Sequence, residues 1–176
     1  MVRNAVWAAV LVLGIGLLQQ ETFAAAPTEV HVPKSAWDKQ ELSKAKKGDF
    51  VEYDITAMAG AKSRQEIVEV GDHTMTYETA MTMGGNKLPA SQIKMIYDKA
   101  DPDPKDATTK IETKEAADKV TVAKGTFDAT RYESYKDGAL LGKSWISKEI
   151  PVTGLVKAQD AAGKDSMVLS DFGRGK

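Results

Sequence analysis

The chain has 176 residues, 28% of them charged and 42% hydrophobic, and a formal net charge of −1. That composition suits one globular domain able to bury its own core, and the near-neutral balance argues against nucleic-acid binding driven by phosphate neutralisation. There is no cysteine, which excludes disulfides, thiolate metal sites, cysteine nucleophiles and cysteine-linked lipids.

Arg3 precedes an unbroken apolar run from Ala5 to Leu18, and Thr22-Phe23-Ala24-Ala25-Ala26 then offers small residues for cleavage. Charge, apolar core and small-residue site together read as a secretory signal peptide over 1–24, cut after Ala24. The run is shorter than the roughly 20 apolar residues of a spanning helix. The expectation is an exported chain, periplasmic or extracellular. Residues 25–47 form a lead and a short helix: Ser35-Ala36-Trp37-Asp38 has capping-box spacing with Asp in place of Glu, and Gly48 stops the segment.

From 48 to 176 the pattern is that of a single antiparallel β domain. Phe50 to Thr56 alternates, with Val51, Tyr53 and Ile55 on one face and Glu52 and Asp54 on the other. Arg64–Val70 is a second strand. His73–Met83 is a third, and it aligns Met75, Tyr77, Thr79, Met81 and Met83 against Thr74, Thr76, Glu78 and Thr82. Ser91–Tyr97 fits strand or helix, with strand preferred. The Asp, Lys and Thr content of 98–118, with Pro102 and Pro104, predicts a long polar loop. Lys119–Ala123 resumes the sheet. The stretch from Gly125 to Gly173 reads as a meander: Thr126–Glu133, a turn at Lys136-Asp137-Gly138, Lys143–Ser147, Ile150–Lys157, a turn at 160–164 and Ser166–Ser170.

Several motif-like stretches carry no chemistry. Gly138-Ala139-Leu140-Leu141-Gly142-Lys143-Ser144 has three residues between its glycines where a phosphate-binding loop needs four, and β-like residues follow where that loop needs a helix. Asp171-Phe172-Gly173 matches a kinase triplet without any of its partner motifs. Asp98, Asp101, Asp103 and Asp106 lack the central Gly and distal Glu of a calcium hand. His31 and His73 stand near no nucleophile motif, and Glu66 and Glu69 alternate faces of a strand. The chain is thus expected to be non-enzymatic and to need no cofactor. His73, Met75, Met81 and Met83 do form a set of soft ligands of the kind that suits Cu(I), while methionine as core or pocket filler is the simpler account.

Gly48-Asp49-Phe50-Val51-Glu52-Tyr53, Gly125-Thr126-Phe127-Asp128-Ala129, Lys143-Ser144-Trp145-Ile146-Ser147 and Ile150 to Lys157 together resemble the DUF3108-type or TapB-type exported bacterial proteins, which are similar in fold to the LolA lipoprotein-carrier superfamily. The resemblance implies a mainly β fold, a strongly curved antiparallel sheet forming an incomplete barrel, whose concave face shelters acyl chains. It also implies internal helices, of which only the short N-terminal one is evident here. The leading expectation is an apolar ligand, a lipid or lipoprotein acyl chain, held by Val51, Tyr53, Ile55, Met75, Tyr77, Met81, Met83 and Trp145, with peripheral contact to a membrane. The alternatives are an envelope structural or protein-interaction module whose apolar face is a filled core, with another envelope protein as partner, and a Met/His copper protein.

Overall fold

The structure is a computed structural model and describes residues 26–33, 44–100 and 111–176. Eleven strands form one sheet: β1 (Thr28–Pro33), β2 (Phe50–Ile55), β3 (Ala61–Val70), β4 (Thr74–Met83), β5 (Asn86–Lys87), β6 (Ser91–Lys99), β7 (Ile111–Val122), β8 (Gly125–Lys136), β9 (Ala139–Ile146), β10 (Leu155–Asp160) and β11 (Asp165–Gly173). Their order is β1-β6-β4-β3-β2-β11-β10-β9-β8-β7, with β5 appended to β4. Among the described residues the sheet is curved and does not close, and β1 and β7 are its edges. It is mixed, since β1 runs parallel to β6 while every other pair is antiparallel.

Two meanders make up the sheet, and the pairing of β2 with β11 joins them. Phe50 faces Gly173, Tyr53 faces Leu169 and Ile55 faces Met167, so the first strand of one half is zipped to the last strand of the other. The C-terminal half rolls back on itself at one end. There Phe127 of β8 meets Phe172 of β11 edge to face with ring centroids 6.0 Å apart, and Lys124 in the β7–β8 turn reaches Asp171 at 2.6 Å.

The alternation in β2 gives buried Val51, Tyr53 and Ile55 beside more exposed Glu52 and Asp54. On the other face Lys62 bridges both acids, at 3.0 and 3.1 Å, and the Arg64 guanidinium lies 3.6 Å over the Phe50 ring. The Asp137-Gly138 hairpin turn has both residues at positive φ, 51° and 80°, as a right-handed twist between β8 and β9 requires. Ser91–Tyr97 is strand, inside β6.

Three expectations need correcting. The sheet, eleven-stranded among the described residues, is not wholly antiparallel, since β1 runs parallel to β6. Residues 111–118 are not loop: they form the first two-thirds of β7, paired residue for residue with β8 from Ile111↔Lys136 to Asp118↔Ala129. Their polarity misled because β7 is an edge strand, where charges are favoured to keep the edge from aggregating. Ile150–Gly154 is not strand either, but part of a buried loop between β9 and β10. Pro151 lacks the N–H that a ladder needs, and Val152 and Gly154 sit at φ 65° and 71°. The expected helix falls mostly on 34–43, outside the described residues, and its described end, from Lys44 to Lys47, closes in a turn.

Candidate functional site

The face expected to hold a ligand centres on Tyr53. The β2 strand sets its ring between Ser63 on β3 and Leu169 on β11, and the side chain is 0% exposed. Its hydroxyl donates to the Leu155 carbonyl at 3.0 Å and shares a short hydrogen bond with Thr153 Oγ1. Burial raises the phenol pKa strongly, against a smaller lowering from the Thr153 bond, so the group stays neutral and acts as a structural tie.

What covers Tyr53 is the chain itself. Residues 147–154 leave β9, cross the apolar face and return as β10. Ser147 N–H donates to the Gly154 carbonyl at 2.8 Å, closing the loop at its base. Ile150, Pro151 and Val152 are fully buried. Thr153 N–H donates back to the Pro151 carbonyl at 2.8 Å, making a γ-turn with Val152 at its centre and φ 65°. Positive φ is unusual for any residue with a Cβ and more so for a β-branched one, so the turn is a point of stored strain.

The eight expected ligand residues divide accordingly. Val51, Tyr53, Ile55, Met75 and Trp145 are buried, and all but Ile55 belong to one packed cluster with Ile150, Val152, Leu155 and Leu169. Tyr77 packs against the cluster while partly exposed, Met81 is half-buried and Met83 is 42% exposed. The first five fill a core; the last three lie along an open margin of β4.

The soft-ligand set does not converge. Met75 and Met81 stand six residues apart on one continuous strand, about 20 Å at the rise of an extended chain. Met75 pairs with Met95 and Val70, Met81 with Ser63, and His73 lies in the bend before β4. Among the described residues no group of three or more His, Asp or Glu could hold a metal ion. Asp98 is engaged by His31, whose Nδ1 lies 2.8 Å from its carboxylate and ties β1 onto β6.

Trp145 is buried at 9% exposure and is held through its polar edge as well. Its Nε1 donates to Asp118 Oδ2 at 2.9 Å, two strands away on β7, and Arg131 reaches the same oxygen at 3.3 Å. The Trp145 bond, the Lys119 backbone N–H and the Arg131 charge hold the Asp118 pKa below the usual aspartate value. Around this pair the strands carry further charge: Glu133 with Lys143 at 3.4 Å and Lys157 with Asp165 at 2.9 Å.

Asp49 has a structural role that the local sequence does not announce. It is 1% exposed and accepts hydrogen bonds from Lys46 N at 3.0 Å and Gly175 N at 2.7 Å, with Arg174 3.6 Å away. A Cβ at Gly175 would collide with the Lys47 carbonyl, so the glycine permits the approach that the carboxylate fixes. The Gly48-Asp49 pair ahead of an alternating strand was the available signal, but its partner lies 126 residues away. No family model, curated protein or solved structure matches the chain.

Proposed function

We propose that this chain is a non-enzymatic protein of the cell envelope that acts as a structural or interaction module, with its apolar face serving as a filled core. The loop from Ser147 to Gly154 carries this reading, because Ile150, Pro151 and Val152 occupy the ground over Tyr53 where an acyl chain would lie. Export rests on the signal-peptide pattern of residues 1–24, which lie outside the described residues. The working surface is then the polar exterior and the sheet edges, and the partner another envelope protein.

Native mass spectrometry of the chain purified from its own envelope, together with titration of a fluorescent fatty-acid probe, tests the proposal. The expected result is no co-purified lipid or other small-molecule mass and no saturable probe binding. A second reading keeps the apolar ligand at the margin of β4, where Tyr77, Met81 and Met83 remain partly exposed. It is favoured instead if the probe binds saturably, if Met81→Glu abolishes that binding, and if Thr82→Glu, on the opposite face, leaves it intact.

A further inference from the structure

Among the described residues nothing is hydrogen-bonded to the outer edge of β7. Register identifies the backbone groups left free there. The β7–β8 pairs run without a slip from Ile111↔Lys136 to Val122↔Gly125, around the two-residue turn Ala123-Lys124. A two-residue hairpin closes on a hydrogen-bonded pair, and such pairs alternate along an antiparallel ladder. Val122, Val120, Asp118, Ala116 and Lys114 therefore direct their N–H and C=O to β8, while Thr121, Lys119, Ala117, Glu115 and Thr113 direct theirs outward. The next hairpin gives the same parity. It closes on Lys136↔Ala139 around Asp137-Gly138, so even-numbered β8 residues bond to β9 and odd-numbered ones to β7.

The centre of this edge is bare. Ala116 and Ala117 are both exposed, and two shallow open grooves of about 360 and 350 Å³ meet at Ala117, one running toward Tyr132 and the other toward Asp128. The turn end of the β7–β8 hairpin lies against β11, through the Lys124–Asp171 contact, whereas Ala116 and Ala117 are exposed.

We propose that this edge pairs with β7 of a second copy of the chain, antiparallel about a two-fold axis through Ala117, so that one sheet runs across a symmetric dimer. An interface of this kind needs a self-complementary strand, and β7 is one in that register. Glu115 faces Lys119 of the second copy and Lys119 faces its Glu115. Both are residues whose backbone groups point outward, so both pairs are hydrogen-bonded. Thr113 faces Thr121, a favourable cross-strand pair, and no like charges stand opposite each other. Lys119 already lies 3.2 Å from Asp128, so the added Glu115 completes an acid–base–acid row.

Neighbouring registers are worse. A slip of one residue in either direction sets an outward-directed residue opposite an inward-directed one. One direction also sets Lys114 against Lys119 and Glu115 against Asp118, like against like, and the other leaves Glu115 and Lys119 opposite Val120 and Ala116. Centring on Ala116 leaves Glu115 and Lys119 opposite uncharged residues and draws on Asp118, which Trp145 and Arg131 already hold. Charges on an edge usually discourage pairing; with Glu115 and Lys119 placed symmetrically about Ala117, they favour this register instead. Self-pairing at β7 holds whether or not the apolar face takes a ligand.

Sedimentation equilibrium over a concentration series tests the proposal on the mature chain. The wild type is expected to show a reversible monomer–dimer equilibrium. Glu115→Lys or Lys119→Glu alone sets like charges opposite at two symmetric places and weakens the dimer about tenfold or more. The double reversal, Glu115→Lys with Lys119→Glu, restores the cross-strand pairs and recovers most of the loss, short of the Lys119–Asp128 contact. Ala117→Pro removes an outward N–H without breaking a bond to β8 and gives a folded monomer by circular dichroism. A wild type that stays monomeric throughout the series, or a dimer indifferent to both single reversals, overturns the proposal.

Discussion

Val152 and Val156 form a natural control pair for the strain in the covering loop. Both are fully buried, at 1% and 0% exposure, and both belong to the same packed cluster. They differ in backbone, since Val152 has φ 65° while Val156, in β10, is not among the positive-φ residues. At Val156, going from Ala to Gly removes one more buried carbon, about 0.8 kcal/mol, and adds the entropic cost of glycine in a strand, about 0.5–1 kcal/mol. Gly should therefore be less stable than Ala there by about 1.5 kcal/mol. At Val152 the same losses occur, but glycine relieves a left-handed conformation that costs a residue with a Cβ about 1–2 kcal/mol. The two substitutions at Val152 should accordingly come out nearly equal. Equilibrium urea unfolding of the four variants reads this directly: at a slope of about 2 kcal/mol per molar, the Ala-to-Gly gap should be about 0.5–1 M smaller at 152 than at 156. An equal gap at the two sites would refute the claim that the γ-turn stores strain.

Trp145→Ala should cost about 3–5 kcal/mol, and a change within about 0.5 kcal/mol in urea unfolding would place the ring outside the core. Tyr53→Phe removes the ties to Thr153 and the Leu155 carbonyl while keeping the ring, and should cost about 1–3 kcal/mol; no loss of stability would mean that the covering loop holds without them. Asp118, Asp165 and Asp171 all have folded pKa values held below the ordinary aspartate value. The stability they contribute is therefore full above about pH 4 and is lost as pH falls through the folded values. A thermal midpoint that rises on acidification below pH 4 would contradict that sign, and Asp118→Asn should flatten the decline. Arg3→Glu, or loss of the Ala5–Leu18 run, should trap the chain inside the cell; fractionation that still finds the variant in the envelope would remove the signal-peptide reading.

The sequence was informative wherever a strand has one wet face and one dry face. Alternation located β2, β3 and β4, and Asp137-Gly138 located the β8–β9 hairpin, because both signals are local. It was silent or misleading where burial comes from elsewhere. Ile150-Pro151-Val152 reads as strand by composition, yet it is a loop because Tyr53, about a hundred residues upstream, supplies the surface it packs on. Ile111 to Asp118 reads as loop by polarity, yet it belongs to an edge strand. Strand parity assigns Val51, Tyr53, Ile55, Met75, Tyr77, Met81 and Met83 to one face but does not report what lies on it. The parallel β1–β6 pair and the clasp of Asp49 on Gly175 join residues 65 or more positions apart, a separation no local pattern reports.

The joint between β2 and β11 bears on when the domain can form at all. Tyr53 gains its cover at Thr153 and its neighbour Leu169 only after a hundred or more further residues are in place, so neither half of the sheet can complete its core early. Closure over such a separation is entropically slow, and topologies dominated by distant pairings fold on the millisecond-to-second scale. While the chain emerges from a ribosome at roughly 5–20 residues per second, β2 waits for its partner and its apolar face stays available to other molecules. An extended, late-folding polypeptide of this kind suits the export proposed above, and Val51, Tyr53 and Ile55 stay uncovered until residues 165–173 arrive.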